Sequence, residues 1–501
     1  MIDLVIGLCA PFLLVYSFFC QYKVMQAHHY ESGKFIRYDL VKKIVIQVLG
    51  LFVFVLSFFI SDLDKIILLS FWIVLLNSFL FEKGDLKLTN RVKRFFIIYL
   101  VITYSIFLLP VKNIDLMFFV SCFLYFYLLE VHFLSVVTEK IIMSYYIKDA
   151  KKIIKDVKVI GVTGSYGKTS CKNIIYDMLS HLLNVSKTPK SFNNKVGIVK
   201  SIRENLNKED EYFICEYGVD KKGAMDPLLK IAKPNIALIT EIGPQHLLTF
   251  KNIENIKKEK LKIAQVLEEK EYAIINNDNE YLKKSISELR CKVITYGIKN
   301  ESDIMAKNII MNNKGASFDL YINGKKYKNI EICLLGEHNI LNVLGAIGVL
   351  KSLNIDLNKI QSLTSLIKRV EHRLELKTMQ GVKVIDDGFN SNEVGFKKAV
   401  DVLSSMSEER YIITPGIIEQ GDNSESVNYE LGKYMSCKID FAILVEDNAQ
   451  IIKKGLLDSG FDKKNIVVKK DFKEAWEYVK KINGKNKIFL IENDLPCIYL
   501  K

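Results

Sequence analysis

The sequence predicts an α-helical transmembrane segment followed by an α/β body, and three observations carry that reading. Apolar residues crowd into the stretch before residue 140. A glycine-rich loop lies between an apolar run and an amphipathic helix at 157–179. From there onward, short apolar strands alternate with helical stretches, the pattern of a mainly parallel sheet. A chain of 501 residues suits about three domains at roughly 150 residues each. The expected division is 1–138, a membrane domain of about five helices; 139–156, a basic cytoplasmic linker; 157–370, a central nucleotide-binding domain; and 371–501, a second α/β domain.

The membrane expectation rests on runs such as IVIQVLGLFVFVLSFFI and IILLSFWIVLLNSFLF. Windows of about 20 residues, roughly one hydrocarbon core, give candidates near 3–20, 44–61, 66–82, 97–112 and 116–137. A buried helical bundle in a soluble protein is the alternative. Lys23, Lys34, Arg37, Lys42 and Lys43 lie in one connection, Lys83, Lys87, Arg91, Lys93 and Arg94 in another, and Lys140, Lys148, Lys151 and Lys152 follow the last run. The positive-inside rule makes these three segments cytoplasmic. The expectation is a multi-pass cell-membrane protein of bacterial type, with its N-terminus outside, the lipid bilayer as a partner and the body in the cytoplasm. The first run lacks a basic leader and is followed by further apolar runs, so a cleaved signal peptide is not expected.

A net charge of +13 raises nucleic-acid binding. The basic residues, however, flank apolar runs or mix with acids, so no nucleic-acid partner is expected. Nine cysteines occur singly, without CxxC spacing. That argues against a zinc site or a disulfide framework and fits a reducing compartment.

The segment VKVIGVTGSYGKTSCKNIIYDML (157–179) has the strand, loop and helix that phosphate binding requires. Backbone N–H groups and the helix N-terminus supply positive potential, Lys168 reaches phosphate, and the Thr169 hydroxyl can hold Mg²⁺. Thr163, Gly164, Ser165, Tyr166, Gly167, Lys168, Thr169 and Ser170 are therefore the candidate ATP contacts. The segment departs from G-x-x-x-x-G-K-[ST], because Val162 takes the usual first glycine and Gly161 stands one place early. An ordinary glycine-rich turn is the bland alternative.

TGSYGKTS resembles the TGTNGKT[ST] loop of the Mur ligases and of the related folylpolyglutamate and cyanophycin synthetases. TPKSFNNKVGI (188–198), EYGVDKKG (216–223), ALITEIGPQHL (237–247), LLGEHNILNVLGAI (334–347), EHRLE (371–375) and IDDGFNSN (385–392) resemble segments of the family's D-alanyl-D-alanine-adding branch. The resemblance runs from about 157 to the C-terminus. It implies a Mur-ligase-like P-loop ATPase domain with a mainly parallel sheet and a C-terminal Rossmann-like α/β domain. It also implies ATP with two Mg²⁺ sites and catalysis through an acyl phosphate. Joining a carboxylate to an amine in water needs an activated carbonyl, and charge accumulates at each stage, so cations and phosphate-binding dipoles are required.

The resemblance carries over residue by residue. Lys168, Lys260 and His246 become catalytic, and Thr169, Glu216, His246 and Lys260 bind metal, with Lys260 carbamoylated so that an anion bridges a second Mg²⁺. Asn339 and Asn342 fall at adenine-side positions. Arg373 and Asp387 fall where the last domain holds phosphate and ribose, so ATP is sandwiched between domains. Thr188, Asn193, Asn194 and Asn390 fall in substrate segments. Taken alone, Glu216 reads equally as a solvated loop charge, His246 as a structural histidine, Lys260 as a nucleophile or surface charge, and Asn339, Asn342 and Asp387 as helix caps.

The function this implies is a membrane-anchored, ATP-dependent peptide ligase. It would add an amino acid or dipeptide to a cell-envelope (peptidoglycan) precursor bearing a free carboxylate. A poly-γ-glutamate-type synthetase is the second enzyme reading. A nucleotide-regulated membrane scaffold or transporter component with a vestigial ligase domain is the reading from another class.

Overall fold

The computed structural model describes residues 19, 22, 23, 26, 40–80, 88–107, 113–122, 124–312, 315–388, 392–417, 424–446, 448–484 and 486–493. The chain divides into two compact units, Met1–Tyr146 and Ile147–Lys501.

The first unit is helical: α1 (Leu40–Ser57), α2 (Asp62–Leu80), α3 (Asn90–Phe107), α4 (Asn113–Cys122) and the start of α5 (Leu124–Ile153). Its core gathers Ile46, Trp72, Leu76, Phe95, Tyr99 and Phe118. Gly50 lets α1 and α4 meet closely, since a Cβ there would lie 2.5 Å from the Cys122 carbonyl oxygen. Phe52, Phe59, Phe71 and Phe133 stay exposed.

The expectation of membrane helices, and with it the multi-pass location and the bilayer as partner, is corrected here. Among the described residues no helix is long and apolar enough to cross a membrane. The reason lies in where the charges fall. Lys42 and Lys43 lie within the first turn of α1, Asp62, Asp64 and Lys65 open α2, and Arg91, Lys93 and Arg94 open α3. The described part of each helix, 18 or 19 residues, keeps an apolar stretch of about 14, some 20 Å at 1.5 Å per residue, against a core of about 30 Å. The α4 helix has 10 residues. Inside the unit, Lys65 Nζ lies 2.7 Å from Asp115 and Arg94 pairs with Glu139 at 2.5 Å. The candidate near 3–20 lies almost wholly outside the described residues.

The second unit holds two sheets. In the first, β1 (Lys158–Thr163), β2 (Val185–Lys187), β3 (Tyr212–Glu216), β4 (Ile236–Ile239), β5 (Tyr272–Asn276), β6 (Lys292–Gly297), β7 (Ile304–Asn312), β8 (Gly315–Ile322) and β9 (Lys325–Ile332) lie in the order β2-β3-β1-β4-β5-β6-β7-β8-β9. Pairing is parallel from β2 to β7 and antiparallel for β7–β8–β9, so the sheet is mixed, with the antiparallel addition that the turns NNKG and ING suggest. The strands β1, β3 and β4 are buried almost throughout, which is why they read as unbroken apolar runs. Because the order reverses beside β1, the loops after β1, β3 and β4 open at a topological switch point, where such sheets bind ligands. Three helices frame that edge: α6 (Lys168–Leu179), α7 (Lys195–Asn205) and α8 (Ile253–Gln265). A fourth, α9 (Glu337–Ser352), packs against α6 and β6.

The second sheet runs β10-β11-β15-β12-β13-β14, from β10 (Glu375–Met379), β11 (Val382–Asp387), β12 (Glu409–Thr414), β13 (Phe441–Val445), β14 (Ile466–Lys469) and β15 (Lys487–Glu492). Only β10 is antiparallel. Helix α10 (Glu393–Ser404), capped by the Asn392 side chain, buries Phe396, Val400 and Leu403 in the core of this domain.

Candidate active site

The loop after β1 turns on two glycines. Gly164 has φ +151° and Gly167 has φ +77°; a Cβ would come within 1.9 Å of Thr240 Oγ1 at the first and 2.5 Å of Asn342 Oδ1 at the second. Both positions need glycine. The loop is clamped to the segment after β4: Ser165 N–H donates to the Glu241 carbonyl (2.6 Å), Ser165 Oγ and the Gly243 backbone exchange hydrogen bonds at 3.0 Å, and Thr240 Oγ1 donates to the Thr163 carbonyl (3.2 Å). The Thr163 hydroxyl donates to the Tyr217 carbonyl, and the Tyr166 hydroxyl to that of Pro244.

Lys168, the first residue of α6, curls over the loop and donates to the carbonyls of Gly164 (2.7 Å) and Ser165 (2.9 Å). Burial lowers its pKa to about 8, with Glu216 opposing and Arg373 reinforcing the shift. Thr169 Oγ1 lies 3.3 Å from Glu216 Oε1, which also accepts from Asn193 Nδ2 at 2.9 Å. Burial pushes the Glu216 carboxyl upward, but Lys172, Lys168 and Asn193 outweigh it and hold the pKa below its ordinary value. The Glu216 N–H donates to Thr188 Oγ1, which joins β3 to the 188–194 segment.

Ser165, Tyr166, Gly167, Lys168, Thr169, Asn193 and Glu216 line a cavity of about 490 Å³ with Ser170, Asn194, Gln245, His246, Asn339 and Asn342, and Thr163, Gly164 and Thr188 stand outside its lining. From the C-terminal domain come Arg373 and Asp387. Arg373 sits between two left-handed residues, His372 (φ 57°) and Leu374 (φ 48°), a backbone zigzag that costs energy outside glycine. Burial lowers the Arg373 pKa, while Asp387 and Glu216 counter it. Burial raises Asp387 to about 6 against the pull of Arg373 and the Leu374 N–H, which donates to its Oδ1 at 3.1 Å.

Other candidates take supporting places. Asn194 lines the cavity and also caps α7 by accepting from Gly197 N at 2.9 Å. Asn342 bonds Asn339 and accepts from the Cys171 thiol behind the loop. His246 is left-handed (φ 53°) and opens the helical turn Leu247–Phe250. Lys260 lies beneath the loop rather than in the cavity: its amine is buried and donates to the Gly164 carbonyl at 2.9 Å, and burial together with Lys168 lowers its pKa well below the usual value. Lys257 and Lys262 instead form ion pairs at the surface of the same helix. Asn390 lies outside the described residues.

Sequence reasoning missed several residues. Lys172 is fully enclosed, with its ammonium 3.0 Å from Glu216 Oε2. Its signal was helical spacing: it falls four residues after Lys168, on a face with Cys171, Ile175 and Met178. Lys398 of α10 pairs with Glu241 at 3.1 Å across the two domains. Both also border a second cavity of about 560 Å³, with the apolar residues Ile298, Met311, Leu335, Leu341 and Met406. His338 stands between the two cavities, and burial beside Lys398 lowers its pKa to about 3, so its imidazole is neutral.

The residues present fit a divalent cation of the Mg²⁺ kind. Among the described residues no cluster of three or more His, Cys, Asp and Glu side chains could cage a metal. Mg²⁺ needs no such cage, since it is held by one or two carboxylates together with substrate phosphates. Glu216 and Thr169 meet beside the loop that would carry those phosphates.

Family comparison agrees with this geometry. The Mur ligase middle domain matches residues 162–350, and the Mur ligase glutamate ligase domain matches residues 372–492. The chain carries the middle and C-terminal domains of the Mur ligases. The first 161 residues fall outside both matches. UDP-N-acetylmuramoyl-tripeptide–D-alanyl-D-alanine ligase from Buchnera aphidicola is 34% identical over 268 residues, 53% of this chain and 58% of that protein. The Bacillus subtilis enzyme of that name is 29% identical over 343 residues, 67% of this chain and 72% of that protein. The chain thus spans between about six and seven tenths of these curated relatives. Among solved structures, the MurF ligase of Thermotoga maritima in complex with ADP superposes with a TM-score of 0.63 at 22% identity, over 70% of this chain and 80% of that one. Folylpolyglutamate synthase of Mycobacterium tuberculosis, complexed with ADP, gives 0.56 at 12% identity, over 70% and 91%. These are likenesses of the Mur-ligase α/β fold.

Proposed function

We propose that the chain is an ATP-dependent amide-bond ligase that joins an amino acid or dipeptide to the free carboxylate of a peptidoglycan-type cell-envelope precursor. The observation that carries this is the pairing of Thr169 with Glu216 at the mouth of the phosphate loop, facing Arg373 and Asp387 across one cavity. ATP fits with its phosphates along the loop and its base toward the second, more apolar cavity. The acceptor carboxylate attacks the γ-phosphorus and ADP departs, leaving an acyl phosphate. The amine then attacks the carbonyl carbon, phosphate leaves, and the proton of the amine is released. Lys168 and Arg373 face the charge that builds on the phosphoryl oxygens, and their fixed positions lower the cost of that charge. Mg²⁺, held by Thr169 and Glu216, supplies charge neutralisation when bound. Closure of the C-terminal domain over the loop excludes water that would hydrolyse the acyl phosphate.

We also propose that Lys260 acts as its carbamate. Burial lowers the pKa of the Lys260 amine and so favours the neutral form, which can add CO₂ and release a proton; the resulting anion would have to leave Gly164 and turn toward the metal. Substrate assignment follows the relatives, two of which are named for adding D-alanyl-D-alanine to a UDP-muramoyl tripeptide. The test is phosphate release from ATP by the purified full chain, offered envelope precursors with amino acids or dipeptides. Turnover should require both a carboxylate and an amine. Hydrolysis of ATP at the same rate with neither would end the ligase reading.

A further inference from the structure

Lys172 is the most unusual charged group in the described protein. Its side chain is 0% exposed and that of Glu216 is 1% exposed, and they meet at 3.0 Å. Lysines are almost never buried this completely. A buried ion pair is also a poor stabiliser, because apolar side chains of similar volume often serve the fold as well or better. Retaining one inside a helix that otherwise buries Cys171, Ile174, Ile175, Met178 and Leu179 calls for a reason other than packing.

The geometry supplies one. Glu216 has two oxygens facing different surroundings. Oε2 points to Lys172, whose ammonium also donates to the Lys190 carbonyl. Oε1 faces Thr169 Oγ1 and Asn193 Nδ2 at the cavity. Lys172 therefore touches three things at once: the helix that follows the phosphate loop, the last residue of β3, and the 188–194 segment. Without it, the carboxylate could turn about its last bond and offer the cavity either oxygen or neither.

We infer that Lys172 is a positioning residue for the divalent cation that accompanies ATP. It pins Oε2 in the interior so that Oε1 is presented beside the Thr169 hydroxyl, and it ties the 188–194 segment to that same carboxylate. The inference rests on reading Glu216 as a metal ligand. Partners that orient a ligand from behind usually matter ten- to a hundred-fold in metal affinity.

The test uses Mn²⁺ as the probe, with bound and free ion counted by electron paramagnetic resonance in the presence of ADP on the full chain. Lys172→Met should weaken Mn²⁺ binding about ten-fold or more, while ADP binding without metal stays within about two-fold. Glu216→Gln should weaken Mn²⁺ binding at least as much. In the Glu216→Gln background, adding Lys172→Met should change nothing further, since the pinned carboxylate is gone. This double variant has no stranded buried charge, so it keeps the question open to measurement even where Lys172→Met alone fails to fold. Wild-type Mn²⁺ affinity in Lys172→Met, or a loss of five-fold or more on adding it to Glu216→Gln, overturns the inference. Wild-type affinity in Glu216→Gln overturns instead the metal reading of Glu216 on which the inference depends.

Discussion

The two walls of the cavity are built differently. The central-domain wall is locked from many directions: Ser165 is held by Glu241 and Gly243, Thr163 by Thr240, and the Gly164 carbonyl by Lys168 and Lys260. The C-terminal wall offers Arg373, Asp387 and Lys398, and Lys398 reaches the loop side through an ion pair with Glu241 between partly exposed groups. One wall is preorganised for phosphate. The other carries charges that a shift of domain could bring up or withdraw, which is what a site needs if it must open for substrate and close for chemistry.

The largest effect is expected on the locked wall. Lys168→Ala removes the cation that the loop already encloses, and phosphoryl transfer should fall by roughly a hundred- to a thousand-fold, the scale seen when one preorganised charge-stabilising group is lost. Steady-state phosphate release checks it, with circular dichroism to confirm folding. Activity within a few-fold of wild type would mean the wall is not organised for phosphate.

Next comes Lys260, on the same wall but behind it. Lys260→Ala should be inactive and partly rescued by a short carboxylic acid, and depletion of CO₂ should depress the native enzyme. Lys260→Arg should fail, because it places positive charge where the carbamate reading needs negative. Substantial activity in Lys260→Arg without any CO₂ dependence would leave Lys260 as a cation bracing Gly164.

How much of this was legible beforehand follows the same division. The loop wall could be read because its turn constrains the backbone itself: Gly164 and Gly167 sit where a side chain does not fit, just before Lys168. The strands β1, β3 and β4 could be read because burial on both faces leaves an apolar run. Lys172 left only a weak local signal, its place on the apolar face of its helix, because a lysine stem can run along such a face and still reach water; its partner lies 44 positions away on β3. Lys398 and Glu241 are 157 residues apart and meet only once the second domain has folded. The helical first unit misled for another reason. Apolar composition was read as membrane span, whereas span depends on uninterrupted length, and charges at the helix starts shorten it.

On the adjustable wall, Asp387 gives a pH-dependent test. Its pKa is raised to about 6, so below that pH it takes a proton and would lose its charge as an acceptor if, as proposed, it holds the ribose. ADP affinity should therefore decline as pH falls through about 6 and level off above it. Asp387→Asn should bind more weakly at pH 7.5 and lose this step, as measured by calorimetric titration at several pH values. An unchanged step in Asp387→Asn would assign it to another group.

The smallest effect is expected at the link between the walls. The Lys398 and Glu241 side chains are 33% and 29% exposed, so solvent screens their attraction. Pairs of this kind are worth about 0.2–1 kcal/mol, which corresponds to roughly a 1.4- to five-fold change in an equilibrium. Lys398→Gln should weaken ADP binding by that factor at low ionic strength and by less at high salt. Glu241→Gln should do the same, and the double variant should be no worse than either single one, because both act through one contact. Exchanging the charges, with Glu241→Lys and Lys398→Glu together, should recover part of the loss. A much larger and salt-independent loss in Lys398→Gln alone would show that Lys398 touches the nucleotide itself. The C-terminal wall would then grip ATP directly, and the contrast between a rigid wall and an adjustable one would fail at its weakest link.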